Sequence, residues 1–125
     1  MRAMKIRIHG NSIRTRLTQT EVECLAAGKA VEQTTSFSEQ VKLVCSVRSG
    51  TGLRSPSVTF DGTNLTVVLP PDQIDQWATS DQVGIYAELE TGCSTVLRLL
   101  IEKDFECLHS QSDTTADAYP NPRAL

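Results

Sequence analysis

With 125 residues, 39% of them hydrophobic and 5% aromatic, the chain has the size of one ordinary domain and enough apolar content to fold without a covalent staple. No apolar run approaches the roughly 20 residues of a membrane span, and the N-terminus lacks the apolar stretch and small-residue cleavage site of a secretory signal, so a cytoplasmic location without a membrane partner is expected. The formal charge of −3 conceals a polarised chain: residues 1–16 carry five bases (Arg2, Lys5, Arg7, Arg14 and Arg16) and no acid, whereas residues 56–125 carry eleven acids against three bases.

In chain order, residues 5–17 read as two strands around His9-Gly10-Asn11-Ser12, where Gly10 and Asn11 tolerate the positive φ angles of a tight hairpin turn. With those two as turn residues, Ile8 lies opposite Ile13, Arg7 opposite Arg14 and Lys5 opposite Arg16. Directly opposed side chains share a sheet face, so one face is apolar (Ile6, Ile8, Ile13, Leu17) and the other gathers Lys5, Arg7, Arg14 and Arg16 with His9. Thr18-Gln19-Thr20-Glu21 has the form of a capping box, and Leu17 with Val22 supplies a hydrophobic staple. The helix that starts there is expected to bury Val22, Leu25 and Ala26 and to stop at Gly28. Strands follow over residues 30–37 and 40–48, the second with Val41, Leu43, Cys45 and Val47 inward, and Gly50-Thr51-Gly52 forms a linker. A second hairpin, residues 58–60 and 65–69, turns at Asp61-Gly62; Pro71 opens a second helix whose buried face is Ile74, Trp77 and Ala78. Residues 83–89 and 95–102 close the series as strands, the last central and buried on both faces. Residues 108–125 form a polar tail that is either loose or anchored by Tyr119.

The two halves match at a shift of 52 residues without a gap: Ile6 meets Val58, Ile8 Phe60, Gly10 Gly62, Ile13 Leu65, Leu17 Leu69, Val22 Ile74, Leu25 Trp77 and Val31 Val83. One domain over residues 1–125 follows, built from duplicated ββαββ units over about 4–49 and 53–107. The fold class expected is α+β, with mostly antiparallel strands forming a pseudo-twofold barrel or curled sheet and two short helices. Closure would remove exposed sheet edges.

The segments MKIRIHGNSIRTRLTQTEVE (4–23), WATSDQVGIY (77–86), EKDFECLH (102–109) and DAYPNP (117–122) resemble a group of short bacterial proteins of unknown function, over nearly the whole chain. Met4 stands where that group usually starts. The resemblance implies a bacterial cytoplasmic domain and brings no activity, cofactor or site residue with it.

The basic hairpin face is the leading candidate site. Like charges directly opposite destabilise a sheet, so Lys5, Arg7, Arg14 and Arg16 need compensation. A phosphate-bearing ligand or an acidic protein partner would supply it, as would the chain's own Glu102, Asp104, Glu106, Asp113 or Asp117. Nucleic acid is disfavoured by the negative net charge, the few aromatics and the lack of a stacking motif. The second candidate is residues 102–109. A thiol enzyme would use Cys107 as nucleophile with His109 as base, and a metal site would take both and recruit His9, Cys24 or nearby acids. The plainer reading packs Phe105, Cys107 and Leu108 at a strand end. Cysteines without CxxC spacing read as reduced thiols, and Trp77, matched to Leu25, reads as core. Phosphate-binding glycine loops, HExxH and GxSxG are absent from the sequence. The expectation is a non-enzymatic, cofactor-free binding module, with self-association through sheet edges or through Val44 and Val68 as a third reading.

Overall fold

The computed structural model describes residues 4–105. Its elements are β1 (Lys5–His9), β2 (Ser12–Leu17), α1 (Gln19–Ala26), β3 (Val31–Ser36), β4 (Lys42–Ser49), β5 (Ser57–Phe60), β6 (Asn64–Leu69), α2 (Pro71–Ala78), β7 (Gly84–Glu90) and β8 (Val96–Lys103). The architecture is α+β. The strands form two four-stranded sheets, β1-β2-β8-β7 and β3-β4-β6-β5, rather than one closed barrel. Each sheet joins a hairpin from one half to a hairpin from the other. All four hairpins are antiparallel, while the central pairings β2·β8 and β4·β6 are parallel. The sheets stay open, with β1 and β7, and β3 and β5, as their edges among the described residues.

Local chemistry sets the helices. Thr18 caps α1 in a full capping box, its hydroxyl accepting from the Glu21 amide at 3.3 Å while the Glu21 carboxylate accepts from the Thr18 amide at 2.9 Å. Such a cap stabilises by about 1 kcal/mol. The same carboxylate accepts from the Met4 amide at 3.0 Å, tying the start of β1 to α1. In α2, Pro71 occupies the first turn, where its missing amide costs nothing, and the Trp77 indole donates to the Val83 carbonyl at 3.0 Å.

The core is one continuous cluster drawn from both sheets and both helices, including Ile13, Leu17, Leu25, Val47, Leu69, Ile74, Trp77, Leu99 and Ile101. The helices cover only part of the inner sheet faces, so three side chains expected inside lie elsewhere. Ile8, at the tip of edge strand β1, is 61% exposed. Val41 precedes β4 in a loop where its carbonyl accepts from the Phe37 and Ser38 amides, and it is also exposed. Ala26 faces solvent at the end of α1. Strand β8 is central but covered on one face: Leu99 and Ile101 are fully buried, Leu97 and Leu100 half-buried, and Arg98 exposed.

The halves correspond closely in pairing. Hairpins β1–β2 and β5–β6 share one register, with Ile8↔Ile13 matched by Phe60↔Leu65 at the 52-residue offset. The offset does not hold beyond the helices. Val31↔Val47 finds its counterpart in Ile85↔Ile101, which lie 54 residues further on, so Val31 corresponds to Ile85 and not to Val83. The loop after α2 absorbs the two additional residues.

The linker over residues 50–56 does more than join halves. Strands β4 and β5 flank β6, so the connection must cross it. Gly50 donates its amide to the Leu69 carbonyl at 3.0 Å, and a Cβ there would collide with Val68 Cγ1. Val68 is consequently buried, and Val44 half-buried, so neither is the exposed apolar residue that self-association was expected to use. No helix among the described residues is long and apolar enough to cross a membrane.

Candidate anion-binding face

The turn sets the site. Gly10 takes φ +56°, while Asn11 keeps an ordinary φ and uses its side chain elsewhere, donating from Nδ2 to the Val96 carbonyl at 2.9 Å. The Arg98 amide donates to the Asn11 carbonyl at 3.0 Å, so the hairpin tip is fastened to β8. Ser12 donates from its hydroxyl to the His9 carbonyl at 2.7 Å, closing the turn. The register is the expected one: Lys5↔Arg16, Arg7↔Arg14, His9↔Ser12. Alternation then puts Lys5, Arg7, His9, Ser12, Arg14 and Arg16 on the outer face of the first sheet.

Two of the proposed internal counter-ions are in place. Glu102, on neighbouring β8 and opposite Arg16 in the parallel register, accepts from Arg14 Nε at 2.6 Å and lies 3.6 Å from Arg16 Nε. That hydrogen bond raises the Arg14 pKa from its ordinary value, against a smaller opposing effect of burial. Asp104, held by its amide to the Leu17 carbonyl at 2.8 Å, lies 3.7 Å from Lys5 Nζ. Its Oδ2 is buried and accepts no hydrogen bond among the described residues. These are partly exposed pairs, each worth at most about 1 kcal/mol, so they restrain the arginines more than they stabilise the fold. Among the described residues Arg7 has no carboxylate partner, and four cations face two carboxylates. A fifth cation, Arg98, is paired with Glu88 at 3.7 Å.

Arg7, Ile8, His9, Ser12 and Arg14 line an open concavity at the hairpin tip. The cations were readable from alternation. Ser12 was equally readable, since it stands opposite His9 in the same turn; Ile8 borders the concavity as the residue between Arg7 and His9, and alternation puts its side chain on the other sheet face. The attachment of Asn11 to β8 has no local signal at all.

Cys107 and His109 lie outside the described residues, as do Glu106, Asp113, Asp117 and Tyr119. Of their suggested co-ligands, His9 is at the tip of the first sheet and Cys24 is half-buried on α1. No group of three or more His, Cys, Asp or Glu that could hold a metal ion occurs among the described residues. Cys45 is buried, which raises its thiol pKa, whereas exposed Cys93 has its pKa lowered by hydrogen bonds with the Thr91 and Thr95 hydroxyls.

Comparison with curated proteins and with solved structures finds no match. A family model covers residues 4–123, almost the whole chain, in agreement with the resemblance drawn from the sequence motifs. The chain belongs to DUF7009, a family of unknown function.

Proposed function

We propose that the chain is a small, non-enzymatic cytoplasmic binding module whose basic hairpin face, Lys5, Arg7, Arg14 and Arg16, engages an anionic small molecule or an acidic protein partner. The observation that carries this reading is the concavity that joins Arg7 and Arg14 with His9 and Ser12, on a face where, among the described residues, Lys5, Arg7, Arg14 and Arg16 meet only Glu102 and Asp104. A purely structural hairpin would gain by replacing one member of the opposed Arg7–Arg14 pair. The two halves are read as copies of one ββαββ unit, supported by their common pairing pattern, with the site on one copy only.

The test is an amide-shift titration of the full chain with pyrophosphate at low ionic strength. Saturable shifts confined to β1, β2 and the start of β8, and lost in Arg7→Glu, support the reading. An Arg7→Glu variant that still binds with unchanged affinity sinks it. Arg7 is a better position than Arg14 for charge reversal, because a glutamate at position 14 would face Glu102 and disturb the sheet.

A second reading, self-association, draws on exposed Phe37, Val41 and Phe60 at one end of the second sheet. Sedimentation giving a monomer mass at high concentration removes it. The thiol-enzyme or metal reading of Cys107 and His109 is tested by Cys107→Ala with His109→Ala: loss of bound metal at unchanged stability supports it, and lost stability alone returns the segment to packing.

A further inference from the structure

Strands β1 and β7 form the two edges of the first sheet among the described residues. We infer that these edges are complementary docking surfaces, and that β1 of one copy of the chain adds in parallel to β7 of a second copy. The inference rests on the acidic-partner branch of the reading above and names that partner.

Strand direction is the first argument. β1 runs antiparallel to β2, β2 parallel to β8 and β8 antiparallel to β7, so β1 and β7 point the same way. A second copy whose sheet continues the first in the same sense therefore meets β7 with a parallel β1. Outer face then meets outer face along the joined sheet, and inner face meets inner. Edge strands offer unpaired backbone amides and carbonyls, the usual template for strand addition. Neither β1 nor β7 contains a proline that would block it.

Charge is the second argument. On the outer face β1 carries Lys5, Arg7 and His9, whereas β7 carries Tyr86, Glu88 and Glu90, and all six are exposed. The register places the β7 residues on that face: Glu88 lies opposite Arg98 and Gly84 opposite Glu102, which reaches across to Arg14. Within one molecule Glu88 lies 3.7 Å from Arg98, and Glu90 reaches no cation among the described residues. Pairing either edge with itself about a twofold axis would set cations against cations or carboxylates against carboxylates. Pairing β1 with β7 sets Lys5 and Arg7 beside Glu88 and Glu90, with the Tyr86 ring as a further face for a guanidinium. The charge pattern thus selects a head-to-tail contact and works against a symmetric dimer.

The inner faces agree. Ile8 is 61% exposed, and it shares the side of β1 opposite to Arg7 with half-buried Ile6. Half-buried Ala87 and Leu89 stand on the matching side of β7. One contact would cover these apolar edges while it neutralised the outer ones.

Sedimentation equilibrium of the full, reduced chain at low ionic strength tests the inference. The average mass is expected to rise with concentration without stopping at the dimer, because each added copy leaves one edge of each kind free, and to fall back with added salt. Arg7→Glu and Glu90→Lys, each checked for an unchanged circular dichroism spectrum, should separately weaken association about tenfold. Their equimolar mixture should recover a wild-type contact, since the intact β7 edge of the first meets the intact β1 edge of the second. Phe60→Ser, in the second sheet, should change nothing. Weakening by only one of the two charge reversals, or loss of association in Phe60→Ser, overturns the inference. So does a monomer at every concentration: if that monomer still shows pyrophosphate shifts that Arg7→Glu removes, the anion-binding reading stands alone, and if it shows none, both fall.

Discussion

Hairpins β1–β2 and β5–β6 share a register and the same place in their sheets, yet they spend their outer faces differently. Where the first presents Lys5, Arg7, Arg14 and Arg16, the second has Ser57, Thr59, Thr66 and Val68 at the corresponding positions. The turns diverge in the same sense. Asp61 closes the second turn itself, its carboxylate accepting from the Thr63 amide at 2.9 Å and the Asn64 amide at 2.7 Å. The first turn has His9 at that position, beside Arg7 and Arg14. After the sheet, Gly50 lets the chain close over Val68, whereas its counterpart Asp104 makes the same backbone bond, to Leu17, and turns a carboxylate toward Lys5. One hairpin is thus finished as structure. The other, with the same backbone, carries four cations of which Arg7 has no carboxylate partner among the described residues, and that contrast motivates the proposed anion-binding role.

The largest effects should fall on what the hairpins have in common. Leu17 and Leu69 hold matching positions and are both fully buried, so Leu17→Ala and Leu69→Ala should each cost about 2–5 kcal/mol in urea unfolding. A large cost at only one of them would break the correspondence. Next comes the linker: Gly50→Ala forces a methyl into buried, β-branched Val68 and should cost about 1–3 kcal/mol by the same assay.

The turns give a smaller, pH-dependent contrast. Hydrogen bonds from the Asn64 and Thr63 amides lower the Asp61 pKa, so its contribution to stability is present above the unfolded carboxyl value of about 4 and fades as pH falls through the lower folded value. Asp61→Asn should therefore flatten the acid limb of a stability-versus-pH curve. His9→Asp, which transplants the self-closing turn into the first hairpin, should leave or raise the melting temperature while weakening anion binding. The smallest expected effect concerns the other hairpins: in a Cys107→Ser background, Cys93 should react with a disulfide reagent at neutral pH well before buried Cys45.

Much of this was legible in the chain. Strict alternation around Gly10 gave the pairings Arg7↔Arg14 and Lys5↔Arg16, and Thr18 with Glu21 announced the start of α1. Such features are local, written within a few residues of each other. The parallel pairings β2·β8 and β4·β6 join Ser12 to Arg98 and Val44 to Asn64 across intervening elements, and nothing in a strand's own pattern names its parallel neighbour; hence the expectation of a barrel. An ungapped comparison ran past the helix because Val83 happens to match Val31, although the pairing of Ile85 with Ile101 shows where the strands correspond. Val68 looked exposed because the pattern of β6 cannot reveal a linker crossing above it. Within the site, Glu102 was one acid among several candidates, and only the register of β8 against β2 singles it out.

The most direct test is urea unfolding of the wild-type chain and of Arg7→Thr, which installs the residue of the second hairpin, each with and without pyrophosphate. Relieving the opposed arginines should leave the variant as stable as wild type or about 0.2–1 kcal/mol more stable without ligand, and only wild type should gain stability when ligand is added. A variant that is less stable without ligand, and that gains as much as wild type with it, would make Arg7 a structural residue and contradict the account.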